Sequence, residues 1–197
     1  MSVRYLHRVL FPKSIAVFGA GEKETLLADI VLNNIMSAGY KSRIYPVCSG
    51  TSVKGLTVYS DTEAIKEQID LAVLSVSQSD LPEAIHSCGK VGAAGAVIVS
   101  LADFSEGFRN EILKIAKAAG VRLIGPHSWG VLNPMAELNA GFARQSVFPG
   151  ELAVISQSSA ICSTILDLSL CRKIGLCFMI GLRDMIDVDF ADVIDYL

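Results

Sequence analysis

The sequence predicts an α/β fold: a doubly wound parallel sheet, followed by the beginning of a second α/β unit. Short runs rich in valine and isoleucine alternate with helical stretches, which is the pattern of repeated strand–helix–strand units. Hydrophobic residues make up 51% of the chain and charged residues only 19%. This composition indicates a well-buried core rather than a disordered chain.

Five runs are short and apolar enough to be strands buried on both faces, as in a parallel sheet. They span residues 14–18, 43–47, 71–76, 96–100 and 122–124. Between them, apolar side chains at helical spacing predict one helix from about residue 25 and another over 112–119, closed by Gly120 as its C-cap. Ser79 and Asp80, with Pro82, predict the start of a further helix.

The segment 125–150 departs from this rhythm, because it holds three prolines and several glycines without a sustained period. It is interpreted as a structured excursion between two domains. A second unit then follows, with strands over 151–155 and 177–182 and helices over 160–172 and from about 188. Two strands and two helices bury too little surface to fold alone, so we expect a fragment or a domain completed elsewhere.

A glycine turn follows the first predicted strand. Gly19, Ala20 and Gly21 stand between strand and helix, where glycine lets a ligand's phosphate approach the backbone and the helix offers N–H groups to an anion. The dinucleotide fingerprint would need a third glycine where Glu24 stands, and an acid near Cys48 at the tip of the second strand. The turn therefore indicates a phosphate ligand other than NAD.

The carboxyl ends of parallel strands are where ligands collect in such sheets. Here these ends are rich in glycine, serine and amide side chains, which suits hydrogen bonding to a nucleotide or a thioester carbonyl. The alternative is that these residues simply form good turns. The candidate ligand contacts are Gly19, Ala20, Gly21, Lys23, Cys48, Ser75, Ser77, Ser100, Pro126, His127 and Ser128.

Other polar clusters have both a functional and a purely structural interpretation. His127 and Ser128 are adjacent in the chain, which rarely gives a base and its nucleophile the right geometry, so a satisfied loop histidine is expected. The turn at residues 156–159 is either an anion cradle or a serine N-cap. The acidic stretch 184–195 is expected to be a solvated helix face that partly compensates the dipole at the helix N-terminus, and the three histidines form no metal site.

Net charge and cysteine content exclude several classes of partner and site. A net charge of −3 and an isoelectric point near 5.6 argue against a nucleic acid or an anionic membrane. The five cysteines are odd in number and form no C-x-x-C pair, so reduced, mainly buried thiols are expected. With no signal-peptide core and no run long enough to span a bilayer, a cytoplasmic protein is predicted.

Five segments, in order and spacing over the whole chain, resemble the N-terminal part of the NDP-forming acyl-CoA synthetases, the succinyl-CoA synthetase α-subunit superfamily. They are residues 11–20, 45–47, the Gly-Pro-x-x-x-Gly-Val-Leu-Asn-Pro of 125–134, the Ile-Ser-Gln-Ser of 155–158, and 187–197. A branch of this family, the Pat-type protein lysine acetyltransferases, carries the same segment, and Asp184-Met185 is more similar to that branch.

The resemblance implies a Rossmann-like CoA-binding domain over residues 1–145 and an incomplete, succinyl-CoA-synthetase-like flavodoxin domain over residues 146–197. In the family, the glycine turn and the tip of the second strand hold the nucleotide and phosphates of CoA. Lys54 would replace the basic residue that usually follows that strand. The loop 125–130 would lie near the thiol of CoA, and Ser156, Gln157, Ser158 and Ser159 would begin a helix that faces a phosphorylated histidine.

The implied function is the CoA- or acyl-CoA-binding N-terminal segment of an NDP-forming acyl-CoA (acetyl-CoA) synthetase. The phosphorylated histidine and the ATP-grasp domain belong to other parts of the family's proteins. No catalytic residue is therefore assigned here, ATP or ADP would bind only through those parts, and the expected partner is the remainder of the same protein.

Three alternatives stay open at this point. One is a regulatory acyl-CoA-binding segment of an acetyltransferase, and another is an NAD(P)-binding domain. The third is a degenerate domain that binds nothing, suggested by departures from the family pattern at Gly21, Ala28, Cys48 and His127.

Overall fold

The structure, a computed structural model, describes residues 3, 5–21, 26–50, 52–142 and 147–197. Its strands are β1 Ser14–Phe18, β2 Arg43–Val47, β3 Ser52–Val53, β4 Leu56–Thr57, β5 Leu71–Leu74, β6 Gly95–Ile98, β7 Arg122–Ile124, β8 Gly130–Asn133, β9 Leu138–Gly141, β10 Pro149–Ser156 and β11 Leu176–Gly181. Its helices are α1 Leu6–Leu10, α2 Leu26–Ser37, α3 Leu81–Lys90, α4 Glu106–Ala119, α5 Ser159–Arg172 and α6 Phe190–Tyr196.

Five parallel strands form the first sheet, in the order β2-β1-β5-β6-β7. One face packs against α2 through residues such as Val31 and Ile35, and the other face packs against α3 and α4 through residues such as Ile85 and Ile112. Helices therefore cover both faces, so the predicted doubly wound α/β fold is confirmed.

Two strands of this sheet end earlier than the sequence predicts. β5 ends at Leu74 and β6 at Ile98, two residues before the predicted ends. The residues that follow, Ser75 to Val76 and Val99 to Ser100, belong instead to the loops at the carboxyl edge of the sheet. This shift brings Ser75 and Ser100 to the edge where ligands bind in such folds.

The second sheet has four strands in the order β10-β11-β8-β9, with β10 and β11 parallel and β8 and β9 antiparallel. The sequence predicted only the first pair and interpreted 125–150 as a structured excursion between domains; the strands of the hairpin β8–β9 within it were not predicted. Its strands are four residues each and buried on both faces, so they lack the alternation by which short antiparallel strands are recognised.

The two sheets share one hydrophobic cluster. Side chains of β1, α2, β8, β9 and β11 meet in it, including Val17, Leu32, Val131 and Ile180. Two buried amides join the units by hydrogen bonds of 2.7 Å: Asn34 Nδ2 of α2 donates to the Gly141 carbonyl, and Asn133 Nδ2 donates to the Leu10 carbonyl. The predicted domain boundary at 145/146 lies outside the described residues and stays a prediction.

Candidate functional site

The candidate site lies where the strand order of the first sheet reverses. The chain runs from β1 outward to β2 and then returns to β5 on the other side of β1. The loops after β1 and β5 therefore diverge and leave a crevice at the carboxyl edge, which is the usual ligand position in open α/β sheets. The glycine turn borders it on one side and the 75–80 loop on the other.

The glycine turn adopts a conformation that requires glycine. Gly19 and Gly21 have φ angles of 86° and 85°, in the left-handed region. A Cβ atom on Gly21 would lie 2.5 Å from Cγ2 of Val53, so the turn also packs closely against the β3–β4 hairpin. The N–H of Gly19 donates to the Val47 carbonyl at 3.0 Å, and this bond fixes the turn to the end of β2.

An acidic side chain already contacts this turn, which the sequence analysis did not anticipate. The Gly21 N–H donates to Oδ1 of Asp29, in the first turn of α2, at 2.9 Å. A phosphate at the same N–H would have to displace this carboxylate or lie beside it. Lys23, proposed to meet the phosphate, and its neighbours Glu22 and Glu24 lie outside the described residues.

Three serines that the sequence analysis names as candidate ligand contacts lie together at the crevice. Ser75, Ser77 and Ser100 line a cleft of about 250 Å³, together with Leu27, Gln78, Asp80 and Ala102. The Ser77 hydroxyl donates to Oδ2 of Asp80 at 2.6 Å, and Ser100 Oγ accepts the Ala102 N–H at 3.1 Å. These bonds order both loops, and the cleft between them combines hydroxyl groups with an apolar wall.

Lys54 and Cys48 occupy different positions from these serines. Lys54, with a φ of 51°, sits at the tip of the β3–β4 hairpin and lines a separate depression of about 400 Å³ with Asp29, Asn33 and Leu26. Cys48 is buried at the end of β2, and its N–H donates to the Tyr59 carbonyl at 3.1 Å. Lys54 thus lies on the glycine-turn side of the crevice, in the same depression as Asp29.

His127 is a satisfied loop histidine, as predicted. Its ring is buried, Nδ1 lies 2.9 Å from Oδ2 of Asp184, and Nε2 contacts the Ala102 carbonyl. Arg109 also approaches Asp184, at 3.6 Å. Because both ring nitrogens have polar protein partners, the ring joins the cleft loop to the β11–α6 loop instead of activating a neighbouring hydroxyl.

Ser128 links the two sheets, since its N–H donates to the Ile98 carbonyl at the end of β6 at 3.1 Å while its side chain contacts the second sheet. Its buried hydroxyl donates to the Gly181 carbonyl at 2.5 Å and accepts the Gly130 N–H at 2.9 Å. The loop between β11 and α6 also contacts the first sheet, since the Val188 N–H donates to the carbonyl of Leu123 in β7 at 3.0 Å. The loop 125–130, with Pro126, therefore connects the carboxyl edge of the first sheet to that of the second.

The turn at residues 156–159 contains the serine N-cap that the sequence left as one alternative. Ser158 Oγ accepts the Ile161 N–H at 3.3 Å, and Ser156 Oγ accepts the Ser158 N–H at 3.0 Å. Gln157 is exposed and donates from Nε2 to the Arg183 carbonyl at 3.0 Å. The turn lies at the carboxyl end of β10, and its role as an anion cradle stays a prediction.

The acidic stretch 184–195 is only partly the solvated helix face that the sequence predicted, because Asp195 is exposed whereas Asp187 and Asp192 are largely buried. Asp192 is only 5% exposed, and both Asp187 and Asp192 bind the guanidinium of Arg122, at 2.9 and 2.8 Å. Asp189 caps α6 by accepting the Asp192 N–H at 3.0 Å. Burial alone lowers the pKa of Arg122, but the bonds and charges of the two carboxylates outweigh it and raise the pKa above its ordinary value.

The described residues contain no metal-binding cluster and no membrane-spanning helix. Within them, no cluster of three or more histidine, cysteine, aspartate or glutamate side chains is close enough to hold a metal ion. No described helix combines the length and the apolar character that crossing a membrane requires. Cys48, Cys88 and Cys162 are buried, and none of the five cysteines forms a disulfide.

Two family models match this chain. Residues 13–134 match the family model of the CoA-binding domain, and residues 149–197 match that of the succinyl-CoA ligase-like flavodoxin domain. This chain belongs to the CoA-binding domain family. The crevice lies in the part of the chain that carries the CoA-binding match, and the resemblance seen in the sequence is confirmed.

Relatives of this CoA-binding chain are acyl-CoA ligases. It is 30% identical to the α subunit of acetate–CoA ligase [ADP-forming] I from Pyrococcus furiosus, over 97% of this chain and 44% of that protein. It is 33% identical to acetate–CoA ligase [ADP-forming] from Methanocaldococcus jannaschii, over 97% of this chain and 27% of that protein. The chain thus spans less than half the length of these relatives.

A solved structure shares the fold over nearly all of the chain. The dinucleotide-forming acetyl-coenzyme A synthetase 1 of Ca. Korarchaeum cryptofilum, in complex with phosphate and ADP, matches with a TM-score of 0.92 and 30% identity. The match covers 97% of this chain and 42% of the other. The chain is homologous to the N-terminal, CoA-binding part of the α subunits of NDP-forming acyl-CoA synthetases.

Proposed function

We propose that this chain holds CoA or an acyl-CoA for an NDP-forming acyl-CoA ligase, and that the ligand lies in the crevice between β1 and β5. The observation that carries the proposal is the position of this crevice, at the strand-order reversal of a chain that belongs to the CoA-binding domain family. The serine-lined cleft and the glycine turn open into it from opposite sides.

The two sides of the crevice suit different parts of CoA. The nucleotide and its phosphates belong beside the glycine turn, where Gly21 is exposed and Lys54 supplies a positive charge. The amide-containing pantetheine arm fits the cleft of Ser75, Ser77 and Ser100, whose hydroxyls donate and accept hydrogen bonds. The thiol then points toward the loop 125–130, where the two sheets meet.

In the ligase reaction, the thiol of bound CoA loses its proton and attacks the carbonyl carbon of an acyl phosphate, so that the C–S bond of the thioester forms as the bond to the phosphate oxygen breaks and inorganic phosphate leaves. The residues of this chain orient CoA and bring its thiol end to the loop 125–130, where the two sheets meet. His127 and Ser128 hold that loop through their bonds to Asp184 and the Gly181 carbonyl. The phosphorylated histidine and the site for ATP or ADP would be supplied by the remainder of the protein.

Calorimetric titration of the purified chain with CoA, acetyl-CoA and NAD tests this proposal. Binding of CoA or acetyl-CoA with no heat from NAD is expected, because the tip of β2 carries no acid to hold the ribose of NAD. Heat from NAD alone would contradict the proposal, and so would silence with all three ligands.

A pair of variants assigns the binding to the cleft. Ser77→Trp places a large ring at an exposed position in the cleft wall and is expected to weaken CoA binding at least tenfold. Ser37→Trp makes the same change at an exposed position at the opposite end of α2 and is the matched control. Equal binding by the two variants would place the ligand elsewhere.

A further inference from the structure

The two hydrogen bonds of the His127 ring require two hydrogen atoms. Nε2 contacts the Ala102 carbonyl, which can only accept, so Nε2 carries a hydrogen. Nδ1 lies 2.9 Å from Oδ2 of Asp184, and an ionised carboxylate also only accepts. A neutral ring holds a single hydrogen on its two nitrogens. Both bonds therefore form together only when His127 and Asp184 hold one proton more than a neutral ring beside a carboxylate.

The charges around His127 place this additional proton on the ring. Arg109 of α4 lies 3.6 Å from Oδ2 of Asp184 and stabilises the ionised carboxylate. Asp103, in the loop before α4, lies 3.8 Å from Nε2, and its negative charge favours a positive ring. Among the described residues, Arg109 and Asp103 are the charged groups in ion-pair contact with His127 and Asp184. The two hydrogen bonds are thus those of an imidazolium.

The bond to Ala102 holds a loop that forms part of the cleft wall. Leu101 and Ala102 line the serine-containing cleft. Both residues are exposed, Leu101 to 80%, so their side chains bury little surface that would hold the loop in place. The Ala102 N–H donates to Ser100, which belongs to the same loop. The ring of His127 therefore joins the middle of this loop to Asp184, in the loop between β11 and α6.

Loss of the additional proton removes one of the two bonds. The remaining hydrogen stays on Nδ1, because a bond to a charged carboxylate is stronger than a bond to a neutral carbonyl. The lone pair of Nε2 then faces the oxygen of Ala102, and two acceptors repel each other. We propose that His127 is a proton-dependent positioning residue of the cleft: the imidazolium holds residues 101–103, and the neutral ring releases them. Because histidine changes charge between about pH 5 and 8, the loop is held near pH 6 and released as the pH rises toward 9.

The release of residues 101–103 has a consequence for CoA, which rests on the proposed function. The pantetheine arm is assigned to the cleft that Leu101 and Ala102 line. A wall that is ordered before binding costs less conformational entropy when the ligand binds. CoA is therefore expected to bind more tightly near pH 6 than near pH 9. The release of the loop itself is a property of the ligand-free chain and does not depend on CoA.

Nuclear magnetic resonance of the ligand-free chain at pH 6 and pH 9 tests the release of the loop. The nitrogen shifts of the His127 ring are expected to show hydrogens on both nitrogens at pH 6 and on one at pH 9. The methyl order parameter of Ala102 follows the motion of its backbone and is expected to fall from about 0.8 to below about 0.6. The methyl group of Ala16, buried in β1, keeps its order parameter while the protein is folded. A neutral ring at pH 6, or an ordered Ala102 at pH 9, would overturn the proposal.

Two variants separate the effect of the proton from a purely structural role of His127. The amide of Asp184→Asn can donate to Nδ1, so a neutral ring with its hydrogen on Nε2 still makes both bonds. Ala102 is expected to stay ordered at pH 9 in this variant. Asp103→Asn makes the same change of charge at the exposed carboxylate near Nε2 and is the matched control, expected to lose order as the parent does. A loss of order in Asp184→Asn equal to that of the parent would contradict proton-dependent positioning.

Calorimetric titration of the same three proteins with CoA tests the consequence for the ligand. From pH 6 to pH 9, the Kd of the parent and of Asp103→Asn is expected to rise at least about fivefold more than that of Asp184→Asn. The phosphates and the thiol of CoA titrate alike in all three experiments, so the difference between the proteins reports the loop. Equal changes in the three proteins would show that the loop does not position CoA. Absence of binding in all three would contradict the proposed function, whereas the pH-dependent order of Ala102 would still establish the role of His127.

Discussion

Arg122 donates from Nη2 to Oδ2 of Asp192 at 2.8 Å, across 70 residues of sequence and from the end strand of one sheet to the helix that follows the other. Asp187 binds the same guanidinium through Nε at 2.9 Å and also accepts the Leu123 N–H at 2.8 Å. Three side chains that are at most 15% exposed thus join the two α/β units.

Replacing Arg122 by methionine is expected to destabilise the fold by about 3 kcal/mol, because it leaves two largely buried carboxylates without a cation. Urea unfolding followed by circular dichroism measures the change. Lys90→Met removes the cation of an exposed pair with Glu63 and is expected to cost less than about 1 kcal/mol. A similar loss of unfolding free energy in the two variants would contradict a stabilising role for the buried ion pairs of Arg122.

Asp29→Asn is expected to tighten CoA binding severalfold. The asparagine oxygen can still accept the Gly21 N–H, while the negative charge beside the proposed phosphate position disappears. Calorimetry at low ionic strength measures the gain, which salt should reduce. Asp167→Asn, at an exposed position on α5, serves as the control for net charge. Unchanged or weaker binding by Asp29→Asn would place the phosphates away from the glycine turn.

His127→Asn is expected to destabilise the protein by about 1–2 kcal/mol and to loosen the loop 101–103. Asparagine tolerates the left-handed φ of 57°, but its shorter side chain cannot bridge Asp184 and the Ala102 carbonyl. Unfolding and amide exchange measure the two effects. His86→Asn changes an exposed histidine of α3 and should stay within about 0.5 kcal/mol of the parent. Slow exchange at 101–103 in His127→Asn would show that other contacts hold the loop.

Alkaline pH is expected to lower the stability of the fold. Burial raises the pKa of Cys162 from 9.0 to about 11, and it also raises the pKa of Cys88 and of Tyr40. Between pH 9 and 11 the unfolded chain loses the Cys162 proton while the folded chain keeps it, so the free energy of unfolding falls as pH rises. Two pKa units correspond to about 2–3 kcal/mol for Cys162 alone.

Thermal or urea unfolding across this pH range measures the decline. Cys162→Ala removes one buried thiol and should make the decline shallower, whereas Cys171→Ala changes an exposed thiol and should not. In the folded protein, a thiol reagent at pH 8 should modify Cys171 before Cys88 and Cys162. Modification of Cys88 at the rate of Cys171 would contradict the buried assignment.

The sequence predicted the first sheet well because its strands are continuous apolar runs separated by glycine and serine turns. The glycine turn was recognisable for the same reason: Gly19 and Gly21 follow β1 directly. The hairpin β8–β9 was missed because its strands are four residues long, with glycine and asparagine within them and both faces buried. Periodicity carries no signal in such short segments.

Long-range polar pairs could not be predicted from local pattern. Asp187 and Asp192 looked like parts of a charged helix face, since nothing near them in the chain indicates that Arg122 folds back against them. The contact between Asp29 and the glycine turn could not be predicted either. Acidic residues are common in the first turn of a helix because they stabilise the helix dipole, so Asp29 gave no sign of a further role.

The two ends of the second sheet are unequal. At one end β9 lies against α2, where buried Asn34 donates to the Gly141 carbonyl, and at the other end β10 pairs with β11 alone among the described strands. Fibrous aggregation through sheet edges needs two open ends on every molecule, so that each copy can join two neighbours. With a single open end, self-association through this sheet terminates at a pair and cannot propagate into a filament.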